Sequence, residues 1–438
     1  MAPPQTFPFL GMRGTGDWVE DQRPKNWRDT ILRLYPNGSV PLTAMMARLS
    51  SESTDDPEYN WWTKDLPAEY AQVTGVYTNQ GLSSEYDAGA RAKGERLWLK
   101  MSEIGSRQYR AGFVARLSSD ADSTIGVAAT VLKSVQNGAD SYLEVRLMQD
   151  DTDGDFRTAE DKSVIGIGST HAEGAFTPES ITYNPVKFHN YTQILRTTYD
   201  LTRTAKKTRL RTGDPFAEKR RENLELHGIQ IEKAFLFGVR DEWIGDNGKP
   251  ERATGGLEWF IKEHVPENVM DYTQDTGFAG KEWDHATGGK YWLDESLERL
   301  FRYGGDSRVA FAGGGAILGI NRLAETFGTI NMQTRDAAYG IAVLEWITPF
   351  GTLYLKRHPL FNLYPSMRHS MMLFEAENLK ERYIDQTTLF KDKDEKSGGF
   401  NKYDGTKEEY LTETGLEFHH PKTAALFHNV GLDNELTP

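Results

Sequence analysis

Alternating apolar and polar residues dominate the chain from about residue 68 to residue 205. In residues 141–148 (SYLEVRLM), Leu143, Val145 and Leu147 share one face, with a glutamate and an arginine on the other. Successive strand residues point to opposite faces, so this alternation predicts half-exposed antiparallel strands. Similar runs, separated by Gly, Asp, Asn and Ser, recur through the region. It is therefore expected to be mainly β-sheet.

The period changes to that of a helix after residue 213. Asp214 suits an N-cap, Pro215 suits the first helical position, and Gly238 suits the end. The pattern predicts a helix of roughly 24 residues, on the order of 35 Å long. A narrow apolar stripe is expected at Leu224, Gly228, Ile231 and Phe235. Charged residues on the other sides predict that the helix acts as a strut.

The C-terminal half mixes both periods. Residues 239–290 are predicted to be irregular loops around short pieces. Beyond them we expect a helix at 292–304, a strand at 308–313, a helix at 316–327, a β-hairpin turning near Pro349–Gly351 and two short strands within 410–432. The order of strands, then a long helix, then mixed elements predicts the α+β class.

Residues 1–67 are predicted to form an extended arm, with brief helices at 27–35 and 41–50 and a turn at Asn37-Gly38. The stretch Asp55–Pro67 shows neither period, although it carries adjacent tryptophans. An arm without its own core can bury such side chains only against its own domain or against a neighbouring subunit. Burial of one tryptophan contributes roughly 5 kcal/mol before ordering costs. We expect contacts with a neighbouring subunit at Tyr59, Trp61 and Trp62.

Composition narrows the classes of function. The 51 Lys and Arg residues against 64 Asp and Glu residues give a net charge of −13, which argues against a surface that binds nucleic acid throughout. The absence of Cys excludes disulfides and thiol chemistry. No run approaches the ~18 apolar residues of a membrane span. A soluble protein with no membrane contact is expected.

A basic segment breaks the acidic composition at 196–213. Asp200 is its one acidic residue, and its cations are Arg196, Arg203, Lys206, Lys207, Arg209 and Arg211. Such a segment can bind phosphate, pair with an acidic neighbour or face solvent. The acidic surface elsewhere favours pairing between subunits, so Arg203, Lys206, Lys207, Arg209 and Arg211 are candidate contact residues.

Motifs for catalysis or cofactors are incomplete. The segment VAFAGGGAILGINRL has Leu318 in place of the third glycine of a dinucleotide fingerprint, so it predicts a tight strand-to-helix connection. Residues 149–160 resemble a calcium loop, but Gln149 replaces its first aspartate; a solvated acidic turn is favoured and calcium stays open. His419 and His420 are adjacent on an expected strand and would face opposite ways. No catalytic, cofactor-binding or metal residues are predicted.

Four segments together resemble a known family. They are LRLYPNGSVPLTAMMARLSSESTDDPEYNWWTKDLP, HNYTQILRTTYDLTRTAKK leading into IEKAFLFG, ITPFGTLYLKRHPLF, and YLTETGLEFHHPKTAALFHNVGL. In this order they are similar to the major capsid proteins of tailed bacteriophages, which have the Hong Kong 97 fold. The resemblance implies an N-terminal arm at 1–67, an extended β loop with an inserted β-domain at 68–205, the spine helix of a peripheral domain at 206–245, a mainly axial domain at 246–380 and a return to the peripheral domain at 381–438.

The resemblance also implies a function. The expected protein is not an enzyme, uses no cofactor, and assembles as hexamers and pentamers into an icosahedral virion shell around double-stranded DNA, without sequence-specific binding. Assembly is expected in the host cytoplasm. No long helical scaffolding segment precedes the arm, so scaffolding, like portal and decoration functions, is expected from separate proteins if it is used. The alternatives are an encapsulin-type nanocompartment shell and a carbohydrate-active hydrolase.

Overall fold

A computed structural model describes residues 40–46, 51–64, 69–178, 180–208, 214–327, 332–338, 341–391 and 405–436. The chain divides into two compact units. One, called here the barrel unit, comprises residues 62–187; the other, called the body, comprises the chain up to Trp61 and from Phe188 onward. Helices and strands are mixed along the chain, which confirms the α+β class.

The described part of the predicted arm contains a short helix and two strands. They are α1 (Pro41–Met46), β1 (Ser51–Ser53) and β2 (Glu58–Thr63). The helix predicted at 41–50 is confirmed over its first six residues. The predictions at 27–35 and at Asn37-Gly38 lie outside the described residues.

The described residues of the barrel unit include six strands that close on one another and the one-turn α-helices α2 (Glu103–Ser106) and α3 (Asp155–Thr158). Its strands are β3 (Tyr70–Tyr77), β4 (Arg96–Met101), β5 (Phe113–Ser119), β6 (Gly126–Val135), β7 (Tyr142–Leu147) and β8 (Lys162–Ser169). They close in the order β3-β4-β7-β6-β5-β8, with antiparallel pairing throughout. Closure leaves no free strand edge in the barrel.

The barrel interior follows the alternation seen in the sequence. Leu143, Val145 and Leu147 are at most 1% exposed, whereas Arg146 between them is exposed. They pack with the inward residues of the other strands into one apolar cluster. The face predicted for this strand is therefore confirmed.

A long helix opens the second half of the body, after β9 (Val186–Tyr191), β10 (Gln193–Thr202) and α4 (Arg203–Lys207). This helix, α5, spans Pro215–Phe237. The Asp214 side chain accepts a hydrogen bond from the amide of Phe216, and the helix stops at Gly238, so the predicted bounds are confirmed.

The apolar stripe predicted for α5 is partly wrong. Ile231 and Phe235 are buried, but Leu224 is 47% exposed. Two polar residues, His227 and Glu232, are buried in its place. Their partners lie on other segments of the body, so burial of these polar groups is not visible in an apolar pattern.

The remaining elements follow in chain order. They are β11 (Asp241–Ile244), β12 (Pro250–Ala253), α6 (Leu257–His264), β13 (Val269–Asp271), α7 (Gly289–Phe301), β14 (Ser307–Ala312), α8 (Gly314–Phe327), β15 (Met332–Ala338), β16 (Ile341–Ile347), β17 (Thr352–Arg357), α9 (Pro359–Leu363), β18 (Met371–Phe374), β19 (Leu379–Lys391), β20 (Gly405–Phe418) and β21 (Ala425–His428). The helices predicted at 292–304 and 316–327, the strand at 308–313 and the hairpin near Pro349–Gly351 are confirmed, the last by the pairing of β16 with β17.

Residues 239–290 consist of short elements, including the β11–β12 hairpin and the helix α6, joined by irregular segments, as predicted. One prediction for this half is wrong. The strand β20 is not short, because it runs for 14 residues. Glu408 and Glu417 occupy buried positions in β20, and they obscure its apolar alternation in the sequence.

Two sheets organise the body. A seven-stranded mixed sheet has the order β13-β21-β18-β14-β17-β16-β15, and a four-stranded sheet has the order β1-β19-β20-β10. In the second sheet β1 runs parallel to β19, and the other neighbours are antiparallel. A separate two-stranded sheet joins β2 and β9. No helix among the described residues is both long enough and apolar enough to cross a membrane.

The glycine-rich segment after β14 is a tight connection, as predicted. A Cβ atom at Gly313 would overlap the carbonyl of Arg368, and one at Gly315 would lie 2.6 Å from the ring of His369. The glycines therefore permit close packing of the start of α8 against the chain around residue 368.

Candidate subunit-contact surfaces

Tyr59 and Trp61 lie in the core of their own chain. The Trp61 ring is 6.0 Å from that of Tyr59, 6.1 Å from that of Phe188 and 5.9 Å from that of Phe260. The Tyr59 hydroxyl donates a hydrogen bond to the carbonyl of Leu416 at 2.9 Å. The expectation that these two residues contact a neighbouring subunit is therefore corrected in favour of the alternative, burial within their own domain.

Strand alternation explains how the adjacent tryptophans differ. In β2, residues 59, 61 and 63 are buried, while Trp62 points the other way and is 61% exposed. The spacing of Tyr59 and Trp61 was the signal for this arrangement in the sequence. Trp62 alone of the three remains a candidate contact residue.

Arg196, the first cation of the basic segment, lies on β10 and has its acidic partner in its own chain. The Arg196 guanidinium donates to both carboxylate oxygens of Glu409 on β20, at 2.8 and 2.6 Å. On the opposite face, Arg220 of α5 pairs with Glu408 at 2.7 Å. The Arg196–Glu409 pair thus satisfies one cation of the basic segment within the chain itself.

Glu408 also accepts a hydrogen bond from the Tyr199 hydroxyl. Burial, together with the neighbouring carboxylate, raises the pKa of Tyr199 to about 12. The Arg220 side chain donates to the same hydroxyl at 2.9 Å, and its guanidinium lies 5.2 Å from the ring of Phe216. This cluster joins β10, β20 and the first turns of α5.

The cations of α4 face outward. Arg203, Lys206 and Lys207 are exposed. The Lys206 ammonium lies 4.7 Å from the ring centroid of Phe216 and 3.4 Å from the Thr406 hydroxyl. Arg209 and Arg211 lie outside the described residues. The three described cations form a surface that stays a candidate for contact with another subunit.

A buried carboxylate, which the sequence did not reveal, binds residues 42 and 43 of the predicted arm. Glu232 of α5 accepts hydrogen bonds from the amides of Leu42 and Thr43 at 2.8 and 2.7 Å and from the Thr43 hydroxyl at 2.6 Å. It also contacts His358 Nε2 at 2.9 Å. His358 Nδ1 in turn accepts from the amide of Leu360 at 3.2 Å. No motif marks these residues in the sequence.

The acidic loop at 149–160 makes internal hydrogen bonds. Asp151 is 3% exposed and accepts from the Tyr86 hydroxyl at 3.0 Å and from the Asp155 amide at 2.9 Å. Burial and this carboxylate raise the pKa of Tyr86 to about 12. Across the described ranges, no three His, Asp or Glu residues are grouped as a metal site would require.

His419 and His420 lie beyond the end of β20, not within a strand as expected. His419 contacts the buried carboxylate of Glu417 through Nε2. His420 adopts a left-handed conformation with φ of 49° and begins the turn that leads to β21. The two imidazoles therefore have separate structural environments.

The sequence of the chain is similar to sequences of known proteins. A family model described as SU10 major capsid protein matches residues 11–431. The chain is 24% identical over 414 residues to the "Major capsid protein" of Pseudomonas phage PaMx41, an alignment that covers 92% of this chain and 88% of that protein.

Solved structures share a more distant likeness. One, described as "Capsid of empty GTA particle computed with C5 symmetry", is 7% identical with a TM-score of 0.42 and covers 93% of this chain and 95% of its own. The capsid of Myoviridae phage XM1 is 11% identical with a TM-score of 0.37, covering 60% and 81%. The SrpI encapsulin of Synechococcus elongatus PCC 7942 is 14% identical with a TM-score of 0.37, covering 56% and 76%.

Because the family model spans all but the two ends of the chain, the protein belongs to the SU10 major capsid protein family.

Proposed function

We propose that this structural protein, which is not an enzyme, assembles through hexamers and pentamers into an icosahedral shell that encloses double-stranded DNA. The observation that carries the proposal is the match to a major capsid protein family over residues 11–431. The phage relative, aligned over 92% of the chain, supports the same role. Neither finding favours the nanocompartment or the hydrolase considered from the sequence.

Contacts between copies are proposed at two exposed features. Trp62 projects from β2 with most of its ring in solvent, and α4 presents Arg203, Lys206 and Lys207. Arg209 and Arg211, outside the described residues, stay proposed contact residues. Each such contact is weak alone, but a closed lattice repeats it in every subunit, so the contacts reinforce one another.

The division of labour within the subunit is also a proposal. Residues 1–67 would form the arm, 68–205 the extended loop with an inserted β-domain, 206–245 the spine helix region, 246–380 mainly the axial domain and 381–438 the return to the peripheral domain. The closed barrel at residues 70–169 and the helix Pro215–Phe237 support this division.

The remaining partners follow from the same role. We propose that the shell assembles in the host cytoplasm, with scaffolding, portal and decoration functions supplied by other proteins where they are needed. The net charge of −13 suits a wall along which packaged DNA slides without sequence-specific binding.

Electron microscopy and light scattering of the purified full chain test the shell. We expect closed particles far larger than one 49.5 kDa subunit. A protein that remains monomeric under all assembly conditions would contradict the proposal. In particles from infected cells, nuclease-protected double-stranded DNA is expected, and a protein cargo without DNA would instead support a nanocompartment.

Charge reversal tests the α4 surface. The double variant Lys206→Glu/Lys207→Glu should lower the assembled fraction several-fold, because it reverses an exposed basic surface. The matched control, Lys93→Glu/Lys133→Glu, makes the same net charge change at exposed lysines of the barrel unit. Sedimentation velocity measures the assembled fraction. If both variants assemble equally, α4 is not a contact surface between subunits.

A further inference from the structure

We propose that Glu232 and His358 form a latch that seats residues 40–46, the described root of the arm, on the long helix, and that this segment is released as a local unit when the latch is broken. The surface of the chain that receives residues 40–46 is called here the seat. It is a property of the single chain; only its effect on shell assembly rests on the proposed function.

The carboxylate of Glu232 joins three distant segments of the chain. Its donors are Leu42 and Thr43, which are 190 and 189 residues away, and His358, which is 126 residues away. Four hydrogen bonds converge on the two carboxylate oxygens. A buried carboxylate needs hydrogen-bond donors for its oxygens, and here all four hydrogen bonds come from three residues outside α5. The latch therefore depends on these hydrogen bonds.

The hydrogen bonds of His358 fix the roles of its two ring nitrogens. Its Nδ1 accepts from the Leu360 amide, so Nε2 carries the proton and donates to Glu232. Within the ranges that the structure describes, no lysine or arginine pairs with Glu232. The amides of Leu42 and Thr43 thus supply donors that no other group in the seat replaces.

Apolar contacts complete the seat. Leu42, Met45 and Met46 are at most 1% exposed and belong to the same core cluster as Ile231 and Phe235 of α5. A six-residue helix has little stability alone, so its order depends on this seat. If residues 40–46 leave, the Glu232 carboxylate loses three of its four hydrogen bonds while it remains next to an apolar core. A carboxylate with so few partners is costly there, so residues 40–46 are strongly favoured to stay bound in the seat.

A glutamine at position 232 should break the latch without changing its size. The amide group keeps one acceptor oxygen, and its NH2 group then faces a donor amide of residue 42 or 43. We expect residues 40–46 to detach while α5 and both sheets persist. Thr43→Val removes the hydroxyl hydrogen bond alone and should give a smaller effect of the same kind.

The absence of Cys allows a direct test with the full chain. Met46→Cys places a thiol at a position that is 1% exposed, and its labelling by a thiol reagent reports exposure of the segment. In the Glu232→Gln background we expect labelling to accelerate at least about tenfold, equivalent to roughly 1.4 kcal/mol. Hydrogen exchange of residues 40–46 in Glu232→Gln alone gives a second reading without the cysteine.

A control separates the latch from general destabilisation. Leu373→Ala removes a buried side chain from β18, in the seven-stranded sheet, and should lower global stability. In the Leu373→Ala variant, labelling of the thiol at position 46 should rise only by the amount that the loss of global stability predicts. The proposal is overturned if Glu232→Gln leaves labelling unchanged, or raises it only in proportion to global unfolding as Leu373→Ala does. Particle formation is scored separately, so failure of the shell proposal leaves the labelling test of the latch intact.

Discussion

The barrel unit and the body solve the same packing problem in different ways. The barrel uses one continuous stretch of chain, and its strands alternate around an apolar cluster. Its buried polar groups are mainly serines, with Asp151. The body is assembled from two separated stretches and buries imidazole, amide and charged groups, including Asn190, His227 and Glu232.

This difference shows how each unit selects its native arrangement of segments over incorrect ones. In the barrel, a register shift by one residue would turn apolar side chains outward, so alternation excludes such shifted pairings. In the body, segments far apart along the chain meet at buried polar groups; the Asn190 side chain, for example, donates to the carbonyl of Leu416, 226 residues away. A buried polar group is tolerated only with its partners, so these groups discriminate against incorrect arrangements.

Asn190→Ala should give the largest effect. The side-chain NH2 group donates to the Thr254 hydroxyl, the Gly255 carbonyl and the Leu416 carbonyl, and Oδ1 accepts from the Gly255 amide. Alanine removes all of these hydrogen bonds and leaves the buried Gly255 amide and carbonyl without this partner, so the free energy of unfolding of the body should fall by about 3–4 kcal/mol. Chemical denaturation measures it. Asn223→Ala, whose side chain bonds its own helix, is the control, and a similar small loss in both would contradict the contrast between the units.

Leu143→Ala should destabilise the barrel by about 3 kcal/mol, because it opens a cavity at a fully buried position. Hydrogen exchange resolved by peptide should show faster exchange in residues 70–169 and unchanged exchange in α5. The control Ile104→Ala alters a side chain that is 78% exposed and should have little effect. Equal acceleration in barrel and body would show that the two units unfold together.

Acidification from pH 7 to pH 5 should weaken the body more than the barrel. Burial lowers the pKa of His227, whose ring lies between the hydroxyls of Thr197 and Thr412. The unfolded chain therefore binds more protons, so the stabilising contribution is complete above about pH 6.5 and is lost as the pH falls. His264 and His428 shift in the same direction. The barrel unit contains only His171.

Unfolding curves at several pH values, followed by region-specific hydrogen exchange, measure this difference. His227→Gln keeps a hydrogen-bonding side chain without the titration, and it should reduce the slope of body stability against pH. An unchanged slope in this variant would exclude His227 as a source of the pH dependence.

Gly228→Ala should give the smallest change, a gain of about 0.5–1 kcal/mol in the body. Gly228 lies within α5, and an added Cβ would meet Val40 Cγ1 at an ordinary contact distance of 3.8 Å. Alanine favours the helix by restricting the unfolded chain. Gly431→Ala is the opposing control, because φ is +88° there and the residue packs against Gly319. Destabilisation at position 228 would show that the seat of Val40 is tighter than this distance indicates.

The sequence predicted most elements whose residues interact locally. The bounds of α5 follow from Asp214, Pro215 and Gly238, and the inward face of β7 follows from strict alternation. The family resemblance, carried by four segments, is confirmed by the match to a major capsid protein family. The α+β class follows from the order of the periods.

The partners of buried polar groups required the tertiary structure. In the sequence, Glu232 is one of many charged residues on α5. In the structure it is buried and hydrogen-bonded to Leu42, Thr43 and His358. Likewise Tyr59 and Trp61 enter their own core, whereas the adjacent Trp62 is exposed. Periodicity records which face of an element avoids water, so the sequence by itself determined most of the elements and the apolar face of regular strands such as β7. Hydrogen-bond partners lie far apart along the chain, so only the folded arrangement decided which charges are buried and which aromatic residues remain outside.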